Sequence, residues 1–113
     1  MKRTESITEE QARTYATWFR ALGDPTRVRL LHLLAAAGRP MTVGELVAQV
    51  DIGQSTVSHH LKILAEVRFV LPEKQGTSTL YTVNRSCLSV FPRAARAIMR
   101  EELPGDCWDG WDC

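Results

Sequence analysis

The chain is poor in cysteine, with three in 113 residues. That is an odd number and too few for a disulfide scaffold, so reduced thiols or metal ligands are the expected state. No apolar run approaches the roughly 20 residues that cross a bilayer, which argues against a transmembrane helix. The first ten residues, MKRTESITEE, hold no apolar stretch of the kind that opens a secretion signal. A cytoplasmic, reducing setting without membrane partners is therefore expected. There is also no phosphate loop, no plausible Ser/His/Asp grouping and no paired acids with a pocket to hold them, so an enzyme is not expected. One last scarcity is local: from Gly53 to Ala65 there is not a single acidic residue.

What is present suits one globular domain, with 44% hydrophobic and 24% charged residues. The net charge of +1 is unevenly spread. From Arg20 to Arg100 there are 11 basic and 5 acidic residues, an excess of six, while the last thirteen residues carry five acids and no base. A basic body with an acidic end is the pattern expected for a polyanionic partner.

Local signals divide the chain into five helices and a hairpin. Thr8 with Gln11 reads as a capping box opening a helix from about Thr8 to Leu22, along which Tyr15, Trp18, Phe19 and Leu22 fall at helical spacing. Asp24 as N-cap and Pro25 at the first helical position open a second helix, buried by Val28, Leu30, Leu31, Leu33 and Leu34 and closed by Gly38. Thr42 with Glu45 is another capping box, starting a short third helix, and Asp51-Ile52-Gly53 turns into a fourth.

The fourth helix carries two stripes. Val57, Leu61 and Leu64 lie at i, i+4 and i+7, a core-facing row. Ser55, Ser58, His59 and Lys62 form a separate, wholly polar row. A short helix, a tight turn and a helix with an outward face of donors and acceptors make a helix-turn-helix. Gln54, Ser55, Thr56, Ser58, His59 and Lys62 are its candidate DNA-reading residues, able to meet base edges and phosphates in a major groove. His59 and His60 diverge by about 100° around the helix and do not chelate together. His60 and His32 are expected to serve local hydrogen bonds.

Phe69 to Glu73 and Thr79 to Val83 read as two strands about a Gly76 turn, a wing whose Lys74 and Thr77 are candidate phosphate contacts. Ser86 is expected to cap the last helix. Pro92 fits best in the first turn of a helix that starts near Ser89 to Phe91, where proline is tolerated. The first and last helices hold more apolar surface than so small a core uses. A homodimer through both is therefore expected, with Tyr15, Trp18, Phe19, Phe91, Ala95 and Ile98 at the interface. The fold expected is mainly α with a small β-hairpin: a winged helix-turn-helix of five helices and a two-stranded wing.

The stretches FRALGDPTRVRLLHLL and QSTVSHHLKIL, with the wing after them, resemble the ArsR/SmtB family of bacterial metal-sensing repressors over about Trp18 to Val83. The resemblance implies a homodimer that occupies double-stranded operator DNA, an imperfect palindrome, and leaves it when an inducer such as a thiophilic or transition metal ion binds. It places the DNA-reading helix at Gln54 to Val67. It does not supply ligands. TVGEL stands where arsenic-sensing relatives often carry two cysteines, with Thr42 and Gly44 at those positions, and no histidine lies between Ser86 and Cys113.

The cysteines are what remain. Thiolates favour soft ions, so As(III) or Hg(II) come first as inducer and Cd(II) or Zn(II) next. Cys107 and Cys113 lie in GDCWDGWDC, where Gly105 and Gly110 allow both sulfurs to reach one ion and Trp108 and Trp111 can shield it. Cys87 sits too far along the last helix to join them within one chain. Across an antiparallel helix pair it can meet them as a third ligand; it reads equally well as a buried helix-start residue. Residues 1–102 are thus expected to form the DNA-binding and dimerisation domain and residues 103–113 a cysteine-bearing tail. A disulfide between Cys107 and Cys113, acting as a redox switch, is the alternative to metal.

Overall fold

The computed structural model describes residues 6–99 of the chain. Its elements run α1 (Glu9–Ala21), α2 (Pro25–Ala37), β1 (Met41–Thr42), α3 (Val43–Val47), α4 (Gln54–Glu66), β2 (Val70–Gln75), β3 (Ser78–Val83) and α5 (Cys87–Ile98). The three strands form one antiparallel sheet in the order β1-β3-β2.

Helix starts follow the local chemistry. Thr8 and Gln11 complete a reciprocal capping box, as do Thr42 and Glu45, each pair satisfying two amides that the first turn leaves open. Asp24 accepts from the Thr26 and Arg27 amides, with Pro25 behind it. Gly38 ends α2 at φ 66, where a side chain would be strained.

The core gathers where α2, α3 and α4 meet the sheet. Leu30, Leu34, Leu46, Val57, Leu61, Leu64 and Val70 are fully buried, with Met41, Val50 and Phe69 around them. Val28, expected inside, is 49% exposed. It stands two residues before Leu30, and a period of 3.6 cannot turn both to one side.

The wing carries a third rung. β1 pairs Met41 with Tyr81 and Thr42 with Leu80. A two-residue strand shows no alternation by which sequence could announce it. The β2–β3 hairpin closes with Gln75 opposite Ser78, leaving a two-residue loop with Gly76 at φ 63 in its first central position.

α5 departs from expectation. It begins at Cys87, so Pro92 lies in its interior and not in its first turn. The backbone bond that proline forgoes is offset by packing: Phe91 stacks against Phe19 and Phe69, and Ala94 is buried. Nor does the Ser86 side chain cap the helix. Asn84 organises the start instead. Its Oδ1 accepts from the Ser86 amide, its carbonyl accepts from the Cys87 amide and its Nδ2 donates to the Arg68 carbonyl.

Arg68 joins α4 to β2 in a left-handed conformation, φ 65. Phe69 N–H bonds to Leu64 O and Arg68 N–H to Ala65 O, the two bonds of a Schellman stop whose left-handed position usually holds glycine. Replacing Arg68 by glycine is expected to raise folding stability by on the order of 1 kcal/mol, measured by urea unfolding at fixed protein concentration. An unchanged or lower midpoint would mean the arginine side chain repays the backbone strain.

Candidate nucleic-acid interface

α4 turns its two rows in different directions. Val57, Leu61 and Leu64 have no exposed surface. Gln54, Ser55, Thr56, His59 and Lys62 are exposed. Ser58 is half-buried, because it faces a cleft of about 410 Å³ between α4 and the wing. Gln54 and Ser58 line this cleft with Thr42, Thr77, Ser78 and Thr79, so hydroxyls from three elements share one concavity. Thr77 is therefore brought to the reading helix. Lys74 is not among the lining residues; it sits exposed on β2 opposite Thr79.

The start of α4 has a particular electrostatic character. Gly53 is the N-cap and offers no side-chain acceptor, and the first turn holds no acid. The amide end of the helix thus keeps its partial positive charge with no carboxylate in the first turn and no side-chain cap on it. Three of the body's arginines are engaged within the chain. Arg27 and Arg29 donate to main-chain carbonyls, Arg27 to Ala21 and Arg20 and Arg29 to Gln49, and Arg39 pairs with Glu45. The two histidines of α4 also part company. The His59 ring is exposed, while His60 is half-buried with Nδ1 3.1 Å from Arg27 Nη1.

The residues expected at the dimer interface are grouped along α1 and α5. Tyr15 and Trp18 pack ring to ring at 5.6 Å, and Phe19 meets Phe91 at 4.8 Å. Phe91 is engaged inside the chain, bridging α1 to the core through Phe69. Phe19 at 38% and Ile98 at 44% remain exposed, with Met99 at 75% beyond them; Ala95, Tyr15 and Trp18 are half-buried.

Of the three cysteines, only Cys87 is within the described residues; Cys107 and Cys113 lie outside them. Cys87 is half-buried at the edge of an apolar cavity of about 460 Å³ lined by Trp18, Val67, Phe69, Val90 and Phe91. Its thiol donates to the Arg68 carbonyl at 3.4 Å. Burial pushes this thiol up from its ordinary range, against the opposing field of Arg68. Among the described residues no three His, Cys, Asp or Glu side chains gather as a metal cluster, so Cys87 offers a single soft donor there.

Sequence reasoning missed Asn84 and the Arg27–His60 contact. The first had a signal, an asparagine two residues before the expected cap. The second joins positions 33 apart and had none.

A buried apolar row, an outward polar row, a short preceding helix and an adjoining hairpin define a winged helix-turn-helix DNA-binding module. Residues 24–71 match the family model described as bacterial regulatory protein, arsR family. The chain is 30% identical over 99 residues to an arsenical resistance operon repressor of Bacillus subtilis, covering 87% of this chain and 93% of that one. It is 36% identical over 95 residues to a probable mercury resistance operon repressor of Streptomyces lividans, covering 83% and 74%. The crystal structure of the antimony-specific transcriptional repressor AntR superposes with a TM-score of 0.64 at 29% identity, covering 83% and 85%. The chain belongs to the arsR family and is a DNA-binding transcriptional repressor of the winged helix-turn-helix type. Among the described residues no helix is long and apolar enough to cross a membrane.

Asp24 supplies a test of the frame that holds this module. Partial desolvation raises its carboxyl, but the Thr26 and Arg27 amides, with the charges of His60 and Arg27, hold it below the usual carboxylate range. A depressed value means the stabilisation is present above the unfolded carboxyl's titration and disappears as pH falls through the folded one. Asparagine keeps the capping acceptor without the titration. The stability of Asp24→Asn is therefore expected to decline less than that of wild type below about pH 4, followed by thermal unfolding across pH. Parallel acid limbs would contradict it.

Proposed function

We propose that the chain is a homodimeric repressor that reads its operator with the exposed row of α4 and releases it when a thiophilic ion is taken up by cysteine thiolates. The observation that carries the DNA half is the complete burial of Val57, Leu61 and Leu64, which leaves the acid-free polar side of α4 outward beside the wing. Gln54, Ser55, Thr56, Ser58, His59 and Lys62 then read bases and set register. The uncapped amides of the first turn, with Lys74 and Thr77, receive phosphates. Tyr15, Trp18, Phe19, Phe91, Ala95 and Ile98 mark the α1–α5 face through which two copies join. A two-fold pair presents its reading helices to successive major grooves about 34 Å apart, matching an imperfect palindrome.

The double variant Ser58→Ala/Lys62→Ala is expected to lose roughly 1–3 kcal/mol of operator affinity, and its salt slope to flatten by about one, in anisotropy titrations across salt. Binding as tight as wild type at every salt would end this reading.

The sensing half divides the chain at residues 1–102 and 103–113. Cys107 and Cys113 offer two thiolates in the tail, enough for linear Hg(II), and Cys87 from the other subunit adds a third for trigonal As(III). Cd(II) and Zn(II) rank below them. The family resemblance to arsenical and mercury resistance repressors supports an ion of this class. Linkage requires that thiolate capture favour free protein over the DNA complex by the factor through which affinity falls, typically 1–3 kcal/mol. No catalytic step enters this reading.

Arsenite, Hg(II), Cd(II) and Zn(II), each titrated against the operator complex, are expected to release wild type with at least one soft ion and to leave Cys107→Ser/Cys113→Ser bound. Release by peroxide alone would favour a Cys107–Cys113 disulfide switch. Release of the serine variant by the same ion at wild-type concentration would exclude the tail.

A further inference from the structure

Arg27 links three helices through side-chain hydrogen bonds. It leaves the first turn of α2 and donates through Nε to Ala21 O and through Nη2 to Arg20 O, two carbonyls at the end of α1. Its remaining edge meets His60 Nδ1 on α4 at 3.1 Å. A guanidinium has five donors and no acceptor. The contact therefore assigns the roles: His60 accepts at Nδ1 and carries its proton on Nε2. Protonation would place an N–H where Arg27 already donates, turning a hydrogen bond into a meeting of two cations.

We propose that Arg27 is the positioning residue for DNA reading: it locks the angle of α4 against the α1–α2 frame through His60, and operator binding therefore requires an uncharged His60. This rests on α4 being the reading helix. Three features of the surroundings bear on it. His60 is half-buried and adjoins His59, whose exposed ring is 5.9 Å away on the reading face. Val57, Leu61 and Leu64 fix which side of α4 is inward through apolar burial, which carries no direction of its own. The three arginine bonds have direction, and they tie the middle of α4 to a helix end.

The charged groups around His60 come from each neighbouring element. From the start of α2 come Arg27 and the Asp24 carboxylate. The last turn of α1 bears Arg20, which meets Arg27 through its carbonyl. Along α4 itself the His59 ring is 5.9 Å from that of His60, and the next basic residue, Lys62, is turned to another side of the helix. Asp24 favours a charged His60, whereas the cation in contact with the ring opposes it. Acidification thus sets Arg27 against His60 and loosens the joint.

The test uses three proteins on two duplexes: wild type, His60→Asn and Arg27→Lys, with a fluorescein-labelled duplex enriched by wild type from a random-sequence library and a scrambled control. Asparagine keeps an acceptor at the Nδ1 position and does not titrate. Lysine keeps the charge but cannot reach two carbonyls and a ring together. Between about pH 8 and about pH 5.5, where imidazoles titrate, wild type is expected to lose roughly tenfold in affinity for the enriched duplex relative to His60→Asn. Arg27→Lys is expected to bind the enriched duplex about tenfold more weakly at the upper pH, with unchanged affinity for the scrambled one. If wild type enriches no sequence, the DNA-reading role of α4 fails and Arg27 falls with it. If wild type binds but its pH profile parallels that of His60→Asn, or Arg27→Lys discriminates as well as wild type, only the positioning role is overturned. Should Arg27→Lys unfold, the His60→Asn comparison still decides.

Discussion

Everything in this molecule depends on which way α4 is rolled. Burial of Val57, Leu61 and Leu64 against Leu30, Leu34 and Leu46 sets the roll, each fully buried side chain contributing on the order of 1.5–3 kcal/mol. Advancing the helix by one residue, about 100°, would carry Ser58 and Lys62 inward and the leucines out. That state gives up apolar burial and desolvates an ammonium and a hydroxyl together. The outward polar row is thus not a separate achievement of the sequence. It is what remains when the apolar row has been satisfied, and its lack of acids makes it suited to a phosphate-lined groove.

The arginines show how little net charge says about such a protein. Arg27, Arg29 and Arg39 are committed to carbonyls and to Glu45, closing helix ends and the turn before α3. They still add to the positive field at a distance, with part of their donor capacity spent inside the chain. On the proposed reading, specific contacts fall to α4, to the hydroxyls of the cleft and to the wing. The amide end of α4 adds a dipole that net charge omits altogether.

How much of this was legible in the sequence follows from the range of each interaction. Capping boxes at Thr8 and Thr42 and the cap at Asp24 span three residues, and all three form as written. The hairpin and both rows of α4 are equally local, set by periods of 2 and 3.6. What escaped was decided at a distance. β1 exists because β3 is beside it, Pro92 is carried inside α5 because Phe91 has Phe19 and Phe69 to meet, and Ser58 is half-buried because the wing folds towards it. The candidate site divides the same way: its exposed members were readable from spacing, while the fixed orientation of His60 required a partner 33 residues earlier. The tail cysteines stand apart, since spacing alone speaks for them.

The middle and the exit of α4 are tied to the two helices expected to join copies of the chain. Near its middle, His60 is bonded through Arg27 to the closing turn of α1. At its exit, the Arg68 carbonyl holds both Asn84 and the first residue of α5, Cys87. α1 and α5 are themselves pinned together by Phe19 and Phe91. On the proposed dimer, a displacement of α5 against α1 would act on α4 through these anchors, since the connecting loops are short. In a two-fold pair, a resulting tilt of each α4 would change the separation of the two helices across the operator. On the proposed reading, inducer and DNA need not touch, provided the dimer seam and α4 share the same few hydrogen bonds.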